Sequence, residues 1–130
     1  MDSEIELGCR DQRTYEILSC AIDVHRELGP GLLESAYRSC LVRSLCDRGL
    51  AVREEVPISI LYRGHEIEGA YRADLIVEDA VLIEVKSASS ILPIHGAQVL
   101  TYLKFLHLKV GLLINFNVLT LMRGVRRFAM

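Results

Sequence analysis

Apolar and polar positions recur with different periods along this chain, and each change of period marks an element. From Thr14 to Leu28, the residues Ile17, Leu18, Ala21, Val24, His25 and Leu28 recur at helical spacing. That spacing predicts a first helix with Thr14 as its N-cap and His25 as a partly buried core histidine. Gly29-Pro30-Gly31 interrupts the pattern: glycine ends one helix, and proline suits the opening turn of the next. The second helix is expected to run to about Arg48, stopped by Gly49, with Leu33, Tyr37, Cys40, Leu41, Ser44 and Leu45 inward. The period then falls to two. Val52, Val56, Ile58, Ile60 and Tyr62 alternate with Arg53, Glu55, Pro57 and Ser59, with Glu54 as an exception on the apolar face. Pro57 cannot donate to a ladder and marks an edge strand or a break. Arg63-Gly64 reads as a tight turn, His65–Glu68 as a return strand, and Gly69 as a break before the next hairpin.

That hairpin, YRADLIVEDAVLIEVKS over Tyr71–Ser87, carries the chemistry. Two apolar runs, Ala73–Val77 and Val81–Val85, flank the polar Glu78-Asp79. With a loop of Glu78–Ala80, Val77 faces Val81 and counting back places Asp74 opposite Glu84; a two-residue loop would put Asp74 on the other face. Leu82, Glu84 and Lys86 share one side of their strand. Two carboxylates facing each other repel and are costly to bury. Two readings are open: an edge hairpin with solvated charges, or a carboxylate pair that binds a divalent cation beside a lysine able to meet a phosphate.

After Lys86 come a polar connection, Ser87–Ser90, and Pro93, which suits the start of a third helix. His95 to about Leu108 offers Ala97, Leu100, Leu103 and Phe105 or Leu106 as core candidates. Gln98 and Tyr102, spaced i, i+4, share a face with His95. Val110–Phe116 is a continuous apolar run of the kind buried on both sides of a sheet, expected beside the Glu84 strand. The terminal segment adds a further strand or ribbon. Arg72 shares parity with Asp74. It reads either as a phosphate contact or as a solvated arginine, as do Arg123, Arg126 and Arg127.

Length and composition bound these readings. A chain of 130 residues suits one domain over 1–130, and 51% hydrophobic with 25% charged content is globular. No apolar run approaches the roughly 20 residues of a membrane helix. The polar start is not a secretory signal, which makes the cytoplasm the expected compartment. The cysteines, Cys9, Cys20, Cys40 and Cys46, show no CxxC spacing; Cys20 and Cys40 fall on helical stripes as buried thiols. The net charge of −2 is unhelpful for gripping nucleic acid.

Asp74, followed after nine residues by Glu84-Val85-Lys86, resembles the signature of the PD-(D/E)XK nuclease superfamily, with Ala73 in place of the leading proline. LGPGLLESAY (28–37), with Gly31, Glu34 and Tyr37, resembles the signature of the GxxExxY family within that superfamily. The likeness continues through EVPISILYRG, YRADLIVEDAVLIEVKS and GLLINF. Gln98 and Tyr102 resemble the Gln-x-x-x-Tyr motif of RecB-type nucleases, and a plain amphipathic helix is the other reading of that pair. The resemblance implies an α/β, restriction-endonuclease-like core: two N-terminal helices, a mixed central sheet, a crossover helix and a closing strand. It implies that Glu34 joins Asp74 and Glu84 at a metal, although an acid in a first helical turn also suits the helix dipole. Iron–sulfur clusters in such nucleases use cysteines on both sides of the core, whereas here all four precede it.

The function expected is that of a Mg²⁺- or Mn²⁺-dependent nuclease acting on nucleic acid, DNA first. Glu34, Asp74, Glu84 and the Val85 carbonyl supply hard oxygen ligands. Lys86 serves the attacking water or the transition state, and Gln98 and Tyr102 position the lysine or the phosphate. The competing reading is a catalytically inactive interaction or regulatory protein on the same fold. A third is a nuclease needing a second copy or a partner subunit to hold its substrate.

Overall fold

Asp11, rather than Thr14, opens the first helix. In the computed structural model, which describes residues 11–130, the Asp11 carboxylate accepts from both Thr14 N and Thr14 Oγ1 at 2.8 Å. Helix α1 therefore starts at Gln12 and runs to Leu28, with Thr14 buried in its first turn. A carboxylate satisfies free first-turn amides as an N-cap, and here it takes a hydroxyl as well. Cys9 and the rest of the polar N-terminal stretch lie outside the described residues. Ile17, Leu18, Ala21 and Val24 are buried as their spacing predicts. His25 is a satisfied core histidine, its Nε2 lying 2.7 Å from the Val118 carbonyl.

Helix α2 spans Glu34–Asp47 and buries Tyr37, Leu41 and Leu45. This stripe is narrower than the sequence suggested. Leu33 stands at the N-cap, 77% exposed, and Cys40 is exposed rather than buried. Pro30 lies in the turn before α2 and not in its first turn. Gly29 and Gly31 take the left-handed φ values, 69° and 99°, that this turn requires.

Five strands follow: β1 (Val52–Tyr62), β2 (His65–Val77), β3 (Val81–Lys86), β4 (Val110–Asn115) and β5 (Val125–Ala129). They lie in sequence order across one sheet. All neighbours are antiparallel except β3 and β4, which run parallel and are joined by helix α3 (Pro93–Leu106). Gly69 does not break the chain. It sits inside β2 at φ 60°, where Ser59 faces Glu68–Ala70 and the register shifts between Ile58 and Ile60. An extra-residue bulge is the ordinary way for a long hairpin to bend without ending its ladder.

Both faces of the sheet are covered, as its apolar central strands demand. Ile17, Leu41 and Leu45 of α1 and α2 pack with Leu75, Ile83 and Ile114. On the other face, Val99, Tyr102 and Leu103 of α3 pack with Ile76, Leu82 and Leu113. Helix α3 is thus rotated from the predicted face: Ala97 and Leu100 point outward, and Tyr102 is part of the core. Gly111 permits the close seat of α3, since a Cβ there would stand 2.8 Å from Val99 Cγ1.

One buried polar side chain pins the exit from β3. Asn115, 2% exposed and paired with Lys86 in register, accepts from Ala88 N (3.0 Å) and Asn117 N (3.2 Å) and donates to Ala88 O (2.9 Å). Asn115→Ala strands these backbone groups and is expected to cost roughly 2–3 kcal/mol in a urea melt. A loss under about 0.5 kcal/mol would show that water replaces the amide.

Candidate active site

The β2–β3 ladder stops where the carboxylates begin. Val77 pairs with Val81, Ile76 with Leu82 and Leu75 with Ile83. The next pair in that register is Asp74 and Glu84. Here side chains take over from the backbone: Asp74 N donates to Glu84 Oε2 at 2.9 Å, and Val85 N donates to Asp74 Oδ2 at 2.8 Å. The three-residue loop that sets this register is made by Glu78 and Asp79, both at left-handed φ (56° and 51°), and Ala80. The expected juxtaposition is therefore present.

The two carboxyls are electrostatically linked. Burial, the charge of Asp74 and a hydrogen bond shared with its side chain push the Glu84 carboxyl up to about 8, against the hydrogen bond from the Asp74 amide and a smaller pull from Lys86. Without a cation beside it, Glu84 carries a proton at neutral pH. Lys86 follows on the same side of β3 and is half-buried, and its ammonium makes no ion pair among the described residues.

Glu34 reaches the neighbourhood from the first turn of α2. Its Oε1 accepts from Ser87 N at 3.4 Å, just past Lys86, and it lines an open cleft of about 480 Å³ with Leu32, Ser35, Arg38 and Ser87. The Tyr37 hydroxyl holds the preceding turn: it donates to Gly29 O and accepts from Leu32 N at 3.1 Å, while its ring stacks on Phe116. In the G-x-x-E-x-x-Y stretch, Gly31 turns the chain, Tyr37 clamps the turn, and Glu34 is thereby set at the cleft. Glu34 does not join Asp74 and Glu84 in a ready-made cluster. No group of three His, Cys, Asp or Glu side chains among the described residues is close enough to hold a metal.

From the other face, Tyr102 approaches the pair. Burial first, then the charges of Glu84, Tyr71 and Asp74, raise its phenol. Gln98 and Tyr102 line a groove of about 220 Å³ with Tyr71, Ala97 and Thr101, and the Tyr71 and Tyr102 rings lie 5.6 Å apart. Gln98 makes no hydrogen bond to the carboxylates among the described residues. His95, expected on the same face, accepts from Leu92 N through Nδ1 and caps α3. Arg72 is exposed, and Arg127 lies 3.4 Å from Asp11 in an ion pair across the N-terminal edge.

Sequence reasoning missed Arg38 and Glu55. Arg38 Nη1 lies 3.5 Å from Asp74 Oδ1, and its Nη2 lies 3.5 Å from Glu55 Oε1. Glu55 stands opposite Asp74 in the β1–β2 register with φ 47°, a left-handed conformation costing roughly 1–2 kcal/mol in a non-glycine residue. The only sequence signal for Arg38 was its position one helical turn after Glu34.

A five-stranded mixed sheet with helices on both faces, and paired carboxylates and a lysine where two strands part, defines an α/β domain of the restriction-endonuclease type. The profile of the PD-(D/E)XK nuclease superfamily matches residues 11–128, and the chain belongs to that superfamily. Its nucleases typically use divalent metal ions, and membership makes this domain nuclease-like. No curated protein and no solved structure gives a significant match. Among the described residues no helix is long and apolar enough to cross a membrane.

Proposed function

We propose that the protein is a Mg²⁺- or Mn²⁺-dependent nuclease that hydrolyses phosphodiester bonds of nucleic acid, with DNA as the first substrate to test, and that it falls in the GxxExxY group. The observation that carries this reading is the Asp74–Glu84 pair, in which Glu84 accepts from the Asp74 amide and Asp74 from the Val85 amide, with Lys86 next on the same strand side.

The donor set fits a hard cation. Asp74, Glu84 and the Val85 carbonyl would offer hard oxygen ligands, and Glu34 would complete the set by turning from Ser87. Burial first, and then the neighbouring charge of Asp74, raise the Glu84 carboxyl, and a cation bound between the two acids would oppose both effects. Bound there, a divalent ion supplies Lewis-acid polarisation of the phosphate and acidification of the attacking water. The protein's own groups do the rest. Lys86 donates to the attacking water or to the charge developing on the phosphate. Tyr102 and Gln98 position the phosphate or the lysine from α3. Asn115 and Ser87 fix the chain just past the lysine, Ser87 by donating its hydroxyl to Leu32 O. With a net charge of −2, a second copy or a partner subunit completes the grip on substrate.

Calorimetric titration of Mn²⁺ tests the centre. Asp74→Asn should weaken binding at least about tenfold, since removing a charged ligand costs upwards of roughly 1.4 kcal/mol. Unchanged affinity would show that Asp74 is not a ligand. Cleavage assays on single- and double-stranded DNA and RNA with Mn²⁺ then identify the substrate.

A further inference from the structure

Both oxygens of Asp74 are already engaged. Oδ2 accepts from the Val85 amide and Oδ1 meets Arg38. Any cation that binds Asp74 must therefore contend with a guanidinium on the same carboxylate. Arg38 has two other places to go. Its other terminal nitrogen, Nη2, is at Glu55, and its side chain borders the open cleft shared with Glu34, Ser35 and Ser87.

Glu55 is no ordinary strand residue. It holds left-handed φ in the middle of β1, opposite Asp74, at the position that meets Arg38. Strain of this kind persists where the surroundings over-determine it, and such places cluster at sites that bind or switch. Arg38 is itself only 26% exposed, so the two acids hold a largely desolvated cation, and its planar fork suits bidentate contact with a phosphate.

We propose that Arg38 is a substrate-phosphate ligand held in reserve. In the metal-free protein Asp74 and Glu55 share its guanidinium. When Asp74 gives its Oδ1 to a divalent cation, Arg38 passes to a nucleic-acid phosphate in the cleft beside Glu34, with Glu55 retaining one edge of the fork. Metal binding and substrate binding are thereby coupled through a single side chain. This inference rests on the reading of Asp74 as a metal ligand.

Two titrations on the full chain test it: calorimetry with Mn²⁺, and fluorescence anisotropy of a labelled DNA oligonucleotide with and without Ca²⁺. Arg38→Gln removes the competitor, so Mn²⁺ affinity should rise severalfold. Oligonucleotide affinity in Ca²⁺ should fall roughly tenfold or more, as for loss of a charge-assisted pair, with little change when Ca²⁺ is absent. Arg38→Lys keeps the charge without the fork; it should fold as the wild type does and recover part of the oligonucleotide binding. Equal or weaker Mn²⁺ binding by Arg38→Gln, or oligonucleotide affinity in Ca²⁺ that neither variant lowers, would overturn the proposal alone. Wild-type protein that binds no Mn²⁺ would overturn the metal-centre reading and the proposal with it.

Discussion

Lys86→Ala is expected to slow cleavage by roughly 10²–10³-fold while leaving Mn²⁺ affinity and folding nearly intact, the loss typical of removing one electrostatic stabiliser. The ammonium stands next to the carboxylate pair on the same strand side but makes no ion pair among the described residues. It is also the weakest of the influences on Glu84, below burial and Asp74. A lysine serving as the counter-ion of the two acids would have the opposite signature. Its removal would raise Glu84 further, destabilise the metal-free protein and leave residual catalysis high. Single-turnover cleavage measured beside melts with and without metal separates the two. Loss of stability without loss of rate would assign Lys86 a structural role.

The second large effect is a pH dependence with a definite sign. Glu84 is neutral in the metal-free fold up to about 8, whereas an unfolded glutamate titrates near 4.5. The folded protein therefore binds more protons between these values. Stability of the metal-free form is fully present below about 4.5 and declines as pH rises through about 8. Ligating carboxylates must be ionised, so Mg²⁺ uptake below pH 8 releases about one proton, and affinity rises about tenfold per pH unit toward that value. Calorimetry in two buffers of different ionisation enthalpy counts the proton, and melts from pH 5 to 9 with and without Mg²⁺ follow the stability. Glu84→Gln should flatten the slope of the metal-free melts. A flat wild-type profile would mean that Glu84 ionises freely and that burial does not govern it.

The hairpin at the centre of the site was legible because its register is set locally. A three-residue loop fixes which residues face each other, and a side-chain period of two then carries Asp74 to Glu84 without knowledge of the rest of the chain. The same holds for the buried β4 run and for the closing strand, β5. Helical stripes were less well read. Periodicity shows that a helix has an apolar face but not the phase at which it docks, so Cys40 and Leu100 were assigned inward and lie outward. Gly69 was read as a stop because glycine weakens strands; in the fold it forms the bulge of a continuous one.

The sequence by itself determined the order of the elements and the place of Lys86 on the Glu84 side of its strand, since each follows from spacing within a few residues; it paired Asp74 with Glu84 only if the loop had three residues, and the structure supplied that loop. The tertiary structure decided everything that depends on distant segments meeting. It brought Arg38 of α2 and Glu55 of β1 to Asp74, turned Glu34 toward Ser87, and set Asn115 under Ala88. It also buried Glu84 deeply enough to hold its proton. Such contacts join residues far apart in the chain through the packing of helices on the sheet, and desolvation is a property of the assembled core rather than of any local pattern.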